Sequence, residues 1–134
     1  MLPHIEDALR QWHEMVSARN LDALPKMLHP DVVFLSPFVF TPYRGPIKTH
    51  AILATVVQVF RDFQYHREFV EGESAALEFT AKVGDFSLKG IDLITFNGAG
   101  QIVEFEVLIR PASGLQALSE AMGKRLAEQG IRPK

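Results

Sequence analysis

The first stretch of the chain places Leu2, Ile5, Leu9, Trp12 and Val16 at steps of three and four, with charged residues between them. That spacing makes one apolar face of an amphipathic helix over residues 2–19, with Pro3 suited to its first turn. Asn20 interrupts the pattern, and Leu21 to Leu28 reads as a short second helix ended by His29-Pro30. Val32 to Ser36 is β-rich and bounded by Pro37, which predicts a short strand. Residues 37–46 carry three prolines, Pro37, Pro42 and Pro46, and read as an irregular loop. Pro46 then opens a third helix to about Arg61, despite a β-branched run that lowers helix propensity.

From Phe63 the periodicity changes from helical to alternating. Strands are expected over 63–71, 75–84, 86–96 and 102–110, separated by Gly-containing turns. Residues two apart on a strand share a face. Leu77, Phe79, Ala81 and Val83 therefore oppose Glu78, Thr80 and Lys82, and Val103, Phe105, Val107 and Ile109 form an apolar row opposite Glu104, Glu106 and Arg110. Leu115, Leu118, Met122 and Leu126 suggest a closing helix stopped at Gly130. Helices first and an antiparallel meander afterwards give an α+β class, in which N-terminal helices pack on a curved sheet. At 134 residues, without repeat or linker, the chain reads as one domain over 1–134.

One residue breaks the logic of the inward faces. Leu88, Gly90, Asp92, Ile94 and Phe96 share a face, so Asp92 points where core is expected. A charged carboxylate in an apolar wall costs several kcal/mol, so it must be paired, hydrated in a cavity or neutral. A cavity together with neutralisation is what a functional acid needs, whereas a hydrogen-bonded structural carboxyl is the plainer alternative.

Composition narrows the classes. A formal net charge of −2 and a pI near 6.2 leave no electrostatic footprint for nucleic acid or an anionic membrane, so neither is expected as a partner. With no cysteine, thiolate metal sites and a cysteine nucleophile are excluded. The run Ala51 to Phe60 is too short to span a bilayer, and Met1 leads into an acidic amphipathic segment unlike a secretory signal, so a cytoplasmic location is expected. The five histidines fall on separate segments without ligand spacing, and no metal or cofactor is expected. His66 alone has the chemistry of a base near neutral pH, with a satisfied surface histidine as the alternative.

The order of elements resembles the nuclear transport factor 2-like superfamily, in the branch of ketosteroid isomerases and SnoaL-like polyketide cyclases. "HPDVVFLSPFVFTPYRG" (29–45) and "IDLITFNGAGQIVEF" (91–105) carry the likeness. The resemblance implies a conical ligand pocket, a homodimer through the sheet, and proton-transfer chemistry on a hydrophobic carbonyl compound. Carried over by position, Asp92 matches the isomerases' oxyanion-stabilising Asp. Their general base falls on Ser36, and their tyrosine on Trp12. Serine without a proton-accepting partner is no carbon-acid base, and an indole offers only a donor. Two functions of different class therefore stand. One is an acid/base isomerase, cyclase or dehydratase with Asp92 catalytic; the other is a ligand-binding or dimeric interaction module without chemistry. In both, Trp12, Phe34, Ser36, Phe38, Tyr43, Phe79, Phe105 and Val107 are the expected contacts of a small hydrophobic ligand, with Phe38 and Tyr43 at the pocket mouth. Ile91, Leu93 and Leu108 lie on the opposite sheet face as the expected dimer patch.

Overall fold

A computed structural model describes residues 1–131 of the chain; residues 132–134 of the expected domain lie outside the described residues. The elements run α1 (Pro3–Ala18), a short 3-10 turn (Leu24–Met27), β1 (Leu28–Leu35), β2 (Tyr43–Arg44), α2 (Pro46–Val59), β3 (Arg61–Glu71), β4 (Ser74–Val83), β5 (Phe86–Phe96), β6 (Ile102–Arg110) and α3 (Ala112–Glu128). The six strands form one sheet in the order β2-β1-β6-β5-β4-β3. All pairs are antiparallel except β1 with β6, which is parallel and closes the first strand onto the last. The α+β architecture expected from the sequence is the architecture observed.

Two expectations for the first half are corrected. Leu21 to Leu28 does not form a helix; only a 3-10 turn exists there, and the strand already begins at Leu28, so His29 and Pro30 are strand residues. Proline has no N–H to give a ladder, and its register with β6 is interrupted between Leu28 and Val33, where no such bond is needed. The Pro-rich segment is not irregular throughout either. Tyr43 and Arg44 pair with Phe34 and Val33 as a small edge strand. Gly45 follows at φ 94, a left-handed turn into α2 that favours glycine, and Pro46 occupies the first helical turn. The β-branched residues of α2 stay helical because Ile52, Leu53 and Val59 are buried against the rest of the fold.

The sheet's inward face matches its period-2 pattern, with one refinement. A register shift between Thr95 and Phe96 makes Ile102 the core residue at the start of β6, in place of Val103, and the alternation resumes at Phe105. The core is dense in large side chains: Trp12, Phe79, Phe105, Leu77 and Ile94 are all fully buried. On the sheet's outward face, Glu78 is covered by the side chains that grip it. Arg67 reaches both carboxylate oxygens, at 2.9 and 2.6 Å, and Lys89 approaches at 3.0 Å, so the carboxyl is held down to about 2.

Candidate functional site

Between the sheet's inward face and the three helices lies a narrow, almost wholly apolar cavity of about 60 Å³. Each of the nine side chains singled out from the sequence borders it. Trp12 comes from α1, Phe34 from β1, Ser36 and Phe38 from the segment after it, Tyr43 from β2, Phe79 from β4, Asp92 from β5, and Phe105 and Val107 from β6. Strand register explains the convergence: Leu77, Asp92 and Val107 are lateral neighbours across β4, β5 and β6, as are Phe79, Gly90 and Ile109. The walls are aromatic, with Trp12 and Phe34 packed on Phe105 at ring distances of 5.2 and 6.0 Å.

Among the described residues Asp92 is the one carboxylate in this wall, and it is only 6% exposed. Its Oδ2 accepts a 2.6 Å hydrogen bond from the Tyr65 hydroxyl. That hydroxyl in turn accepts a 3.0 Å bond from the Trp12 indole N–H. The chain has a fixed direction. Indole nitrogen can only donate, so Tyr65 must turn its single proton to Asp92. Burial pushes the Asp92 carboxyl up to about 7, and the Tyr65 bond pulls the other way without offsetting it. Tyr65 itself is pushed well above its ordinary range by burial and by the neighbouring carboxylate, so it is a neutral donor and not a base. Oδ1 has no hydrogen-bond partner among the described residues, leaving one carboxyl oxygen for whatever occupies the cavity.

Tyr65 is a site residue absent from the sequence-based expectations, although the chain carries a signal for it. Alternation from Phe63 places Tyr65 on the inward face and His66 outward, and a tyrosine facing an apolar core needs a partner for its hydroxyl. His66 is exposed, with Nε2 2.7 Å from Thr80 Oγ1, as a satisfied surface histidine. Trp12 borders the cavity, but its N–H is committed to Tyr65 and not aimed at a ligand. Ser36 Oγ accepts the Phe38 N–H at 3.0 Å, a local turn contact that leaves no base attached to it. Among the described residues, no three His, Asp or Glu gather where a metal could bind, and no helix is long and apolar enough to cross a membrane.

The model of the SnoaL-like domain matches residues 9–105, which covers the second half of α1, all of α2 and the first five strands. The chain belongs to the SnoaL-like domain family. Its fold is that of nuclear transport factor 2-like, cystatin-like proteins. A steroid delta-isomerase from Pseudomonas aeruginosa is 49% identical, with a TM-score of 0.94 and 96% of each chain covered. A bacterial protein described as uncharacterised, with a cystatin-like fold, from Silicibacter pomeroyi is 36% identical, with a TM-score of 0.87, over 92% of this chain and 87% of that one. An NTF2-like protein of unknown function from Mesorhizobium loti, at 18% identity and a TM-score of 0.73 over 81% of this chain and 92% of its own, shares the fold alone. Among curated proteins none matches the chain. This SnoaL-like domain thus combines an isomerase-like frame with a polar floor built from Trp12, Tyr65 and Asp92.

Proposed function

We propose that the cavity binds the hydrophobic, carbonyl-bearing part of a small molecule and that Asp92 moves a proton on it. The observation that carries this reading is the Asp92 carboxyl: buried among apolar side chains, tied to Tyr65 through one oxygen, and without a hydrogen-bond partner among the described residues at the other. With its titration near 7, the carboxyl is available in both protonation states at neutral pH, which is where a general acid/base works best.

In the ionised form, Oδ1 takes a proton from the carbon next to the carbonyl, and the electron pair moves onto the carbonyl oxygen as an enolate. Returning the same proton two carbons away, at the γ position of a β,γ-unsaturated ketone, gives the conjugated isomer. Atoms and charge balance without a further reagent. Tyr65 holds the carboxylate in place and spreads its charge, and Trp12 holds Tyr65. The steroid delta-isomerase relative supports an isomerisation of this class. The width of the cavity favours a slimmer substrate than a steroid, or one that displaces wall side chains.

One observation favours the non-catalytic alternative: among the described residues Asp92 is the only carboxylate bordering the cavity, and the family resemblance puts Ser36, not a carboxylate, at the position of the isomerases' base. The two readings part on a single pair of measurements. Trp12 is the chain's only tryptophan and borders the cavity, so its fluorescence reports occupancy. A β,γ-unsaturated cyclic ketone should quench or shift it in wild type and in Asp92→Asn alike. Growth of conjugated-enone absorbance in wild type but not in Asp92→Asn supports the enzyme. Binding without turnover in either supports the module.

A further inference from the structure

The cavity that holds Asp92 is too small for a drug-sized ligand, whose pockets span roughly 300–1,000 Å³. Directly beside it, between the C-terminal turn of α1 and the start of β3, lies an open groove of about 560 Å³. The two spaces share a wall: Val16, Val57, Phe60, Phe63 and Tyr65 border both. The partition is therefore one side chain thick, and the ring whose hydroxyl bonds Asp92 is part of it. Phe63 is only half-buried and stacks on Phe60 and Phe79 at 5.5 and 5.1 Å, through dispersion alone. Phe63 has no side-chain hydrogen bond to break if its ring turns, and it lines both spaces.

The rim of the groove is cationic. Arg19 and Arg61 both border it, and neither has a carboxylate within ion-pair distance among the described residues. Arg19 spends two of its N–H directions locally, since its Nε and one terminal nitrogen bond the carbonyls of Val57 and Gln58 at 3.1 and 3.0 Å. That leaves its charge uncompensated but its position fixed. Arg61 is exposed at the first residue of β3 and makes no side-chain hydrogen bond among those described. Against the two guanidinium groups stands one carboxylate in the groove, Asp62; the next along β3, Glu68, is held by His13 at 2.7 Å. A desolvated carboxylate or phosphate meets planar donors here and little opposing charge.

We infer that the groove is the outer half of the ligand site, and that the natural ligand is an elongated carbonyl compound with an anionic end group. Its anion rests on Arg61 and Arg19 while its apolar, carbonyl-bearing end passes Phe63 to reach Asp92. The inference rests on the reading of Asp92 as the ligand-facing group, and it adds the chemical class of the other end.

Calorimetric titration of the full chain with 9-oxodecanoate and with its methyl ester tests it, since the two probes differ in one charge. The acid should bind about tenfold tighter, as one charge-assisted contact supplies, and the preference should shrink as salt is raised. Arg61→Gln, at an exposed position without side-chain hydrogen bonds among the described residues, should remove the acid's preference over the ester. Asp92→Asn should keep the preference, because the anion lies in the groove. Equal binding of acid and ester, a preference that survives Arg61→Gln, or no binding of either overturns the inference. None of these touches the turnover of a small neutral ketone, so a failure of the groove is told apart from a failure of Asp92.

Discussion

The Tyr65 hydroxyl lies 2.6 Å from Asp92 Oδ2 and 3.0 Å from Trp12 Nε1, so its proton has one acceptor and its lone pair one donor. Removing that oxygen with Tyr65→Phe acts on both neighbours. Asp92 loses the one contact that lowers its pKa, so its titration should move further up. The Trp12 N–H loses its acceptor inside the core, which costs roughly 1–3 kcal/mol. Trp12→Phe removes only the far donor and should leave the Tyr65–Asp92 bond intact. The comparison to make is the pH–rate profile of the three proteins, or carboxyl titration by NMR. An Asp92 midpoint that stays put in Tyr65→Phe means the bond does not set the acid.

Gly90 and Phe79 make a second testable pair. A methyl group at residue 90 lies 2.4 Å from Phe79 Cζ and 2.6 Å from the Leu108 carbonyl oxygen, so the strand has no room for it. Gly90→Ala should destabilise by about 1–3 kcal/mol through overpacking and push Phe79 into the cavity. Phe79→Ala and Phe105→Ala remove fully buried rings and should each cost about 3–5 kcal/mol while widening the cavity. Chemical denaturation measures the cost, and Trp12 fluorescence with ketones of increasing size measures the width. Unchanged stability in both Phe variants is incompatible with the inward face described here.

How much of this was written in the sequence depends on which physical signal each residue carried. Asp92 was legible because strand alternation is strict, and a carboxyl among Leu88, Ile94 and Phe96 contradicts its neighbours. Trp12 was legible from helical spacing. The strand residues His29 and Pro30 were not, because a proline that normally ends an element sits here at a register break, which only the partner strand β6 defines. Val103 and Ile102 exchanged places for the same reason: a bulge is a property of two strands, not of one. The partners of Asp92 required contact across 53 residues between Trp12 and Tyr65 and 27 between Tyr65 and Asp92, a distance no local pattern encodes. The helical residues Ile52, Leu118 and Met122 are both core and cavity wall, and helical spacing alone does not separate the two.

The outward face supplies a prediction about assembly. Ile91 and Leu108 are register partners there and, with Leu93, remain 36–48% exposed. Phe69 and Phe86 are exposed at 60% and 50%. A proposed two-fold pairing through this face should bury the central three together. Light scattering at micromolar concentration should give a dimer, and Leu93→Glu combined with Leu108→Glu should give a monomer with unchanged secondary structure. A wild-type monomer rules the pairing out.

The last prediction concerns what the buried acid does to stability. The carboxyl of Asp92 titrates near 3.8 when exposed and about 7 in the fold, the shift arising from burial. A raised carboxyl pKa opposes folding once the unfolded chain begins to ionise. Below about pH 4 the acid is neutral in both states and exacts nothing. Between about 4 and 7 the unfolded chain gains a solvated charge that the folded one lacks, so stability falls as pH rises, and above about 7 the loss is complete. Its size is on the order of 4 kcal/mol, from about 1.4 kcal/mol for each pKa unit. Asp92→Asn keeps the shape and an oxygen to accept the Tyr65 proton, but cannot ionise. It should therefore stabilise the domain strongly at pH 7 and by less than about 1 kcal/mol at pH 4. Where function needs a desolvated acid, such a sacrifice of stability is the expected trade. Urea denaturation of both proteins at the two pH values decides the matter. A mutant destabilised equally at each pH makes Asp92 a structural hydrogen-bonding residue, and the proton-transfer reading of the cavity loses its support.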